Sequence, residues 1–255
     1  MRAEPGGRVA IVTGAGSGIG RATAVAFARD GLRVVVVGRR GGALAETAGL
    51  VEAVSGEALM VQADVSDEGE VRQMVERALE RFGRLDVAAN CAARPPGGGI
   101  LELSAADFDS TIATNLRGAW LSTKYEAEAM RVSGGGAVVN VSSLSAVSGG
   151  PSGYSASKAG VEGLTRGAAG ELAPYGIRVN ALRAGLFDTP MLHEAWDTGD
   201  DAEAVLAPGA AASMLKRIGD PAEAAAAIVW LCSSAASYVT GTCLAVDGGT
   251  LARWV

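Results

Sequence analysis

One tyrosine and one lysine stand at a spacing that suits proton transfer. In the run Tyr154-Ser155-Ala156-Ser157-Lys158 the two side chains are four residues apart, so a helix places them on one face, one turn apart. A tyrosine that exchanges protons near neutral pH needs its pKa lowered from about 10 to about 7, which costs about 4 kcal/mol. An ammonium about 4 Å away supplies a free energy of that order at an effective dielectric constant of about 20. The pair predicts general acid–base chemistry, although a surface tyrosine and lysine at this spacing are common by chance.

Polar residues upstream of this pair are candidates for the same site. Ser142 and Ser143 follow a run of β-branched residues, and the carboxyl ends of parallel strands are where open α/β sheets bind ligands. We expect Ser143 to take part, with Ser142 as the alternative. Asn115 lies in an otherwise apolar helical pattern, where it is either a satisfied core amide or a member of the site.

A glycine-rich loop predicts phosphate binding. Residues 13–20 read Thr-Gly-Ala-Gly-Ser-Gly-Ile-Gly and connect the first predicted strand to the first predicted helix. Glycines let backbone N–H groups approach a phosphate, and the helix N-terminus adds partial positive charge. Arg21 and Ala22 replace the Lys-Ser/Thr of a nucleoside triphosphate loop. The loop therefore favours a dinucleotide, the alternative being an ordinary strand–helix turn.

The end of the second predicted strand indicates which dinucleotide is bound. Its sequence is Val36-Val37-Gly38-Arg39-Arg40, and no acidic residue follows before Glu46. An acid at this point hydrogen-bonds the ribose hydroxyls of NAD, whereas an arginine offers charge-assisted hydrogen bonds to a 2′-phosphate. We expect Arg39 to bind the cofactor, with NADP(H) preferred and NAD(H) possible. The alternative is that both arginines are merely solvated.

Short apolar runs alternate with helical patterns along the whole chain. Near-continuous apolar runs such as residues 34–37 fit strands that are covered on both faces. The alternation predicts one doubly wound, Rossmann-type α/β domain over residues 1–255, with a seven-stranded parallel sheet and helices on both faces. The predicted strands are 8–13, 33–37, 58–62, 85–89, 137–141, 177–181 and 243–246, and the predicted helices lie around 18–29, 43–54, 67–81, 104–131, 154–174 and 221–235. Two irregular stretches remain, at 94–99 and 190–219.

The scarce residue types exclude several classes of protein. Lys and Arg number 22 against 28 Asp and Glu, a net charge of −6 that argues against a nucleic-acid partner. His193 is the only histidine and the three cysteines are scattered, so we expect no metal site and a reducing, cytoplasmic environment. Residues 1–7 show no signal-like apolar stretch, and the longest apolar run, 224–232, is well short of the roughly 20 residues that span a bilayer. We expect no membrane partner.

Taken together, these patterns resemble the short-chain dehydrogenase/reductase family, in its branch of chains of this length. The resemblance covers nearly the whole chain, and separate motifs occur in the family's order. They are the 13–20 loop, Asp64-Val65, Asn90-Cys91-Ala92-Ala93, Asn115, Ser142-Ser143, Tyr154 with Lys158, Arg178-Val179-Asn180-Ala181, Thr189-Pro190-Met191 and Asp247-Gly248-Gly249.

The resemblance implies a catalytic role for four residues. Tyr154 would exchange a proton with the substrate oxygen, and Ser143 would polarise that oxygen. Lys158 would hold the nicotinamide ribose and lower the pKa of Tyr154, and Asn115 would fix a water that relays protons. A hydride would then pass directly between the nicotinamide and a secondary alcohol or ketone, a small-molecule substrate, without a metal.

The same resemblance implies a set of cofactor contacts. Asp64 and Val65 would contact the adenine, Asn90 the adenosine ribose, and Thr189 the nicotinamide amide. The full set is Gly14, Ser17, Gly18, Ile19, Gly20, Arg39, Asp64, Val65, Asn90, Ala92, Tyr154, Lys158, Gly185 and Thr189. Relatives commonly form homotetramers, so we expect a homotetramer or a homodimer, and the segment at about 190–219 is expected to close over the substrate.

The chain also departs from the family's usual pattern. Cys91 and Ala93 replace the second Asn and the Gly of a usual Asn-Asn-Ala-Gly run, and Ala184 replaces a proline. The loop between Ser143 and Tyr154 is slightly shorter than usual, which we expect to reshape one wall of the pocket. Two other functions stay open: a catalytically silent dinucleotide-binding sensor or scaffold, and a 3-oxoacyl-carrier reductase. The negative net charge and Gly170, where such reductases often have a basic residue, argue weakly against the latter.

Overall fold

The structure is a computed structural model that describes residues 7–197 and 201–252. Residues 1–6, 198–200 and 253–255 are not described. The expectation that residues 1–7 hold no signal-like apolar stretch, and the expectation that residues 190–219 close over the substrate, therefore lie partly outside the described residues. The strands are β1 (Val9–Thr13), β2 (Arg33–Gly38), β3 (Ala58–Gln62), β4 (Val87–Asn90), β5 (Gly136–Ser143), β6 (Ile177–Ala184) and β7 (Cys243–Val246). The helices are α1 (Gly18–Arg29), α2 (Gly41–Ala53), α3 (Glu68–Phe82), α4 (Ala105–Ile112), α5 (Gly118–Ser133), α6 (Ser145–Ser148), α7 (Ser152–Leu172), α8 (Pro190–Trp196), α9 (Ala202–Ala212) and α10 (Pro221–Cys232).

The strands form one sheet in the order β3-β2-β1-β4-β5-β6-β7, and all its pairs are parallel. The strand order reverses between β1 and β4, which opens a crevice at the carboxyl ends of these two strands. The predicted fold class, one Rossmann-type domain with a seven-stranded parallel sheet, is confirmed.

Both faces of the sheet are covered by helices because the central strands alternate between two apolar layers. Val35 and Val37 belong to a cluster with α3, α5 and α7, whereas Val34 and Val36 belong to a second cluster with α1, α2 and α10. All four valines are completely buried. This burial explains why the strands read as continuous apolar runs rather than as alternating ones.

The helix predicted over 104–131 is present, and it contains a π-helical turn that the sequence did not indicate. A π-helical turn, Ala113–Arg117, separates α4 from α5. Asn115 lies inside this turn and is held by hydrogen bonds to the backbone of Arg94. Such turns mark places where a tertiary contact overrides regular helix geometry, often beside functional sites.

Two further differences concern the segments around the crevice. Strands β5 and β6 continue to Ser143 and Ala184, beyond their predicted ends, and pair along eight residues. The irregular segment 190–219 holds two helices, α8 and α9, whereas the stretch 91–99 has no regular secondary structure. Across the described part of the chain, no helix has the length and apolar character needed to cross a membrane.

Candidate active site

A cleft of about 560 Å³ opens at the carboxyl ends of the strands. The glycine loop, the end of β2 and the residues after β3 line one end, and β5, α7 and α8 line the other. Thirteen of the predicted cofactor residues lie in its wall: Gly14, Ser17, Gly18, Ile19, Gly20, Arg39, Asp64, Val65, Ala92, Tyr154, Lys158, Gly185 and Thr189. Ser143 lines it as well.

The glycine loop has the shape that a bound pyrophosphate needs. Gly14 and Gly18 adopt left-handed backbone, with φ of +66° and +52°. A Cβ on Gly20 would lie 2.3 Å from the carbonyl oxygen of Gly14, so the loop can pack this closely only without side chains. No side chain caps the N-terminus of α1, which begins directly at this loop. The backbone N–H groups there suit the phosphates of a dinucleotide, and the residues present fit that group.

The end of the cleft beyond β2 carries paired charges. Arg39 Nη1 lies 3.7 Å from Asp64 Oδ2, and Arg40 also lines the wall. Burial raises the pKa of Asp64, but hydrogen bonds from Ser66 and the charge of Arg39 outweigh it and leave that pKa below its usual value. Asp64 is therefore ionised at neutral pH and holds one side of the Arg39 guanidinium, which is itself largely exposed.

The other end of the cleft brings Ser143, Tyr154 and Lys158 together. Ser143 is the last residue of β5, Tyr154 lies in the first turn of α7, and their side chains are hydrogen-bonded. Lys158, one turn further along α7, donates from Nζ to the carbonyl oxygen of Val141 at 2.8 Å. Its Nζ lies 5.7 Å from the centroid of the Tyr154 ring.

The pKa of Tyr154 is shifted in the direction opposite to the one expected from the sequence. Burial raises the pKa of the Tyr154 phenol, and only the hydrogen bond with Ser143 acts against it. Burial also lowers the pKa of Lys158 to about 8. The expected lowering of the Tyr154 pKa by Lys158 is absent in this structure because the ammonium is held by the Val141 carbonyl and desolvation dominates both groups. At pH 7 the tyrosine is a neutral phenol and the lysine is mostly an ammonium.

Ser142 also lines the cleft, but its hydroxyl is bound by other groups of the protein. Its hydroxyl lies 3.2 Å from the carbonyl oxygen of Lys158 and 3.1 Å from Glu162 Oε1. Glu162 is in turn bound by both nitrogens of the Arg183 fork at 2.7 Å. The alternation of side chains along β5 thus separates the two serines, and Ser143 is the one beside Tyr154.

The two predicted asparagines lie behind the cleft wall rather than in it. Asn90 Nδ2 donates to Glu126 Oε2 at 3.0 Å and to Asn140 Oδ1 at 3.1 Å. Asn115 Oδ1 accepts from the backbone N–H of Arg94 at 2.7 Å, and its Nδ2 donates to Ser157. Both asparagines are almost fully buried, and the structure does not bring either side chain into the lining.

At the end of the cleft near Ser143 and Tyr154, the lining includes residues that were not predicted from the sequence to belong to the site. Trp196, Met191 and Ala195 of α8 line the cleft, whereas His193 on the same helix pairs with Asp188 at 2.7 Å. Cys91, which replaces the second Asn of the family's usual run, also lines the wall, and burial raises the pKa of its thiol to about 12. Leu186 and the loop residues Pro96, Gly97, Ser145 and Pro151 complete this end. A helical spacing of Met191, Ala195 and Trp196 was the signal available in the sequence.

The chain matches known proteins over nearly its whole length. A family model described as "Enoyl-(Acyl carrier protein) reductase" matches residues 14–250. An uncharacterized oxidoreductase of Thermotoga maritima is 39% identical over 248 residues, which cover 96% of this chain and 98% of the relative. Cis-4-hydroxycyclohexanecarboxylate dehydrogenase of Sinomonas cyclohexanicum is 43% identical, with 95% and 96% covered.

Solved structures agree with this relationship. Levodione reductase superposes with a TM-score of 0.90 at 37% identity, covering 97% of this chain and 98% of that one. A curated levodione reductase, from Leifsonia aquatica, is 40% identical over 258 residues, which cover 97% of this chain and 95% of the relative. A variant of actinorhodin polyketide ketoreductase with NADPH gives a TM-score of 0.91 at 35% identity, with 96% and 97% covered.

Proposed function

The chain belongs to the short-chain dehydrogenase/reductase family of oxidoreductases, and we propose that it interconverts a ketone and a secondary alcohol with a nicotinamide dinucleotide. The observation that carries this proposal is the hydrogen-bonded pair of Ser143 and Tyr154 at one end of the cleft, with Lys158 beside it. The glycine loop at the other end fits the phosphates of the cofactor.

The chain's own residues supply a proton and a polar cradle for the substrate oxygen. A bound nicotinamide would supply the hydride for the carbonyl carbon, or take it up from the alcohol. In the direction of reduction, the Tyr154 hydroxyl gives its proton to the carbonyl oxygen, and Ser143 donates a second hydrogen bond to the same oxygen. The raised pKa of Tyr154 keeps the phenol protonated at neutral pH, which suits this role as an acid.

Lys158 and Asn115 support the proton transfer. The Lys158 ammonium stabilises the phenolate that remains on Tyr154 after transfer, and it holds the nicotinamide ribose as in the family. Asn115 fixes the start of the 91–99 stretch through the backbone of Arg94. The family resemblance adds a water near Asn115 through which the phenolate regains its proton.

The lining of the cleft supports a proposed set of cofactor contacts. Arg39 binds the 2′-phosphate, so NADP(H) is preferred over NAD(H), and Asp64 with Val65 contacts the adenine. Thr189 contacts the nicotinamide amide. Asn90 supports the adenosine ribose site from behind through its buried hydrogen bonds. We further propose a cytoplasmic homotetramer or homodimer, in which residues 190–219 close over the substrate.

The decisive variant is Tyr154→Phe, measured against a panel of ketones and secondary alcohols with NADPH and NADH. We expect kcat to fall at least about 100-fold, because the proton donor is lost, while NADPH affinity measured by fluorescence is unchanged. Tyr238→Phe, at a fully exposed tyrosine, serves as the control and should leave both quantities unaltered. A wild-type protein that binds NADPH but reduces no ketone in the panel would instead establish the silent sensor or scaffold. Preference for a carrier-bound 3-oxoacyl thioester would establish the carrier reductase.

A further inference from the structure

We propose that the substrate end of the cleft takes a neutral, largely apolar ketone or alcohol and rejects substrates that bear a carboxylate or phosphate. The proposal rests on the proposed function of the same cleft and names its substrate class. It follows from where the charged side chains of the lining stand and from what the remaining wall is made of.

The charged side chains in the described lining lie either at the far end of the cleft or beside the tyrosine. Arg39, Arg40 and Asp64 lie beyond β2 and β3, at the end assigned to the adenosine. Lys158 is buried, and its Nζ donates to the Val141 carbonyl beside Tyr154. Within residues 7–197 and 201–252, the lining therefore offers a substrate anion no cation apart from the one that supports the catalytic tyrosine.

The wall around Ser143 and Tyr154 is apolar. It is formed by two prolines from loops, by Leu186 after β6, and by one face of α8; these residues are Pro96, Pro151, Leu186, Met191, Ala195 and Trp196. The other hydroxyl side chains of the lining outside the glycine loop are Thr114, Ser142, Ser145 and Thr189, and all of them are neutral. A substrate here meets neutral hydroxyl groups and hydrocarbon rather than a free charge.

Two basic side chains near the mouth of the cleft, outside its lining, are bound by other groups. Arg94 begins the loop that forms one side of the mouth, but its Nη1 donates to Ser110 at 2.7 Å and its Nη2 lies 3.9 Å from Asp107. His193 pairs with Asp188 at 2.7 Å and does not reach the cleft. A substrate carboxylate would have to compete with these partners.

The position of Trp196 makes this wall resistant to rearrangement. A Cβ on Gly209 of α9 would lie 2.6 Å from the indole carbon Cη2 and 2.6 Å from Leu186 Cδ1. The helix α9 is therefore in close contact with the back of the ring, and the ring is held in the wall together with Leu186. An incoming anion meets a fixed hydrocarbon surface, and burial of an unpaired charge is strongly unfavourable.

The experiment compares two matched pairs of ketones with saturating NADPH. The cyclic pair is 4-methylcyclohexanone and 4-oxocyclohexane-1-carboxylate, and the linear pair is 2-octanone and 7-oxooctanoate. We expect kcat/KM to be at least about 100-fold higher for the neutral member of each pair that is reduced, equivalent to about 2.7 kcal/mol. Calorimetric binding of the corresponding alcohols to the NADPH-loaded protein, where no turnover occurs, should show the same order.

A substitution that adds a cation to the wall tests the cause of this preference. Met191→Lys should narrow the gap between neutral and anionic ketones at least about tenfold, whereas Met214→Lys, at an exposed methionine outside the cleft, should leave it unchanged. An anionic ketone reduced as well as or better than its neutral partner overturns the inference and leaves the proposed function standing. Absence of reduction for all four ketones, with NADPH bound, overturns both.

Discussion

Glu126 provides a test of how burial controls the stability of this fold. The side chain lies on α5, is completely buried, and accepts a hydrogen bond from Asn90 through Oε2, while Oε1 has no hydrogen-bond partner among the described residues. Burial raises the pKa of this carboxyl to about 8. At pH 7 the folded protein therefore holds a neutral glutamic acid against Asn90, the last residue of β4.

The consequence for stability has a defined sign. The unfolded chain releases this proton near pH 4.5 and the folded protein near pH 8, so the folded state binds more protons between these values. The stabilising contribution is complete below pH 4.5 and is lost as the pH rises through 8. Between pH 5 and pH 8 the loss amounts to about 4 kcal/mol, at about 1.4 kcal/mol per pH unit.

The variant Glu126→Gln removes the titration while keeping the shape of the side chain and an acceptor for Asn90. We expect the melting temperature of the wild type to fall relative to the variant by roughly 10 °C between pH 5 and pH 8, at roughly 2–4 °C per kcal/mol for a chain of this size. Differential scanning fluorimetry at constant ionic strength measures both profiles. Glu128→Gln, on the exposed face of the same helix, should follow the wild type. Parallel profiles for wild type and Glu126→Gln would refute the reasoning.

Four further variants address the cleft. Arg39→Gln should raise the KM for NADPH at least about tenfold and leave that for NADH unchanged, because a charge-assisted hydrogen bond to the 2′-phosphate is lost; equal effects on both cofactors would remove Arg39 from this role. Ser143→Ala should lower kcat about 100-fold with little change in melting temperature. Ser142→Ala should lower the melting temperature and leave kcat unchanged. The reverse pattern in steady-state kinetics would assign the catalytic role to Ser142 instead of Ser143. Gly20→Ala should weaken NADPH binding at least about tenfold in a fluorescence titration, because its Cβ would meet the Gly14 carbonyl oxygen at 2.3 Å; unaltered binding would contradict the tight-loop requirement.

The sheet was predictable because its signal is local. Apolar runs such as 34–37 are buried on both faces, and each run can be recognised without knowledge of its neighbours. The π-helical turn at Asn115 was not predictable in this way, since this side chain is hydrogen-bonded to the backbone of Arg94, 21 residues earlier. Segment 190–219 was interpreted as irregular because its two helices are short and one contains Pro208.

The cleft residues, too, were predictable from the sequence where their signal is local and not where it depends on distant residues. The glycine loop, Tyr154 and Lys158 follow from spacing within a few residues, so their common location in the cleft was foreseeable. The Asn90 side chain lies behind the cleft wall because it is hydrogen-bonded to Glu126 and Asn140 from other elements. The sequence around Asn90 does not indicate this position. The raised pKa of Tyr154 likewise reflects burial by the whole fold rather than the distance to one lysine.

Under the proposed function, the strand pair β5–β6 positions the residue that binds the reacting oxygen, whereas a different part of the fold contacts the rest of the substrate. Ser143 pairs in register with Ala184 at the end of an eight-residue ladder, so the hydroxyl beside Tyr154 is anchored in the rigid centre of the molecule. The hydrocarbon wall opposite comes largely from α8, which α9 supports from outside the sheet. Under the proposed function, exchange of these two helices would therefore change the compounds that the cleft accepts while Ser143 and Tyr154 keep their places.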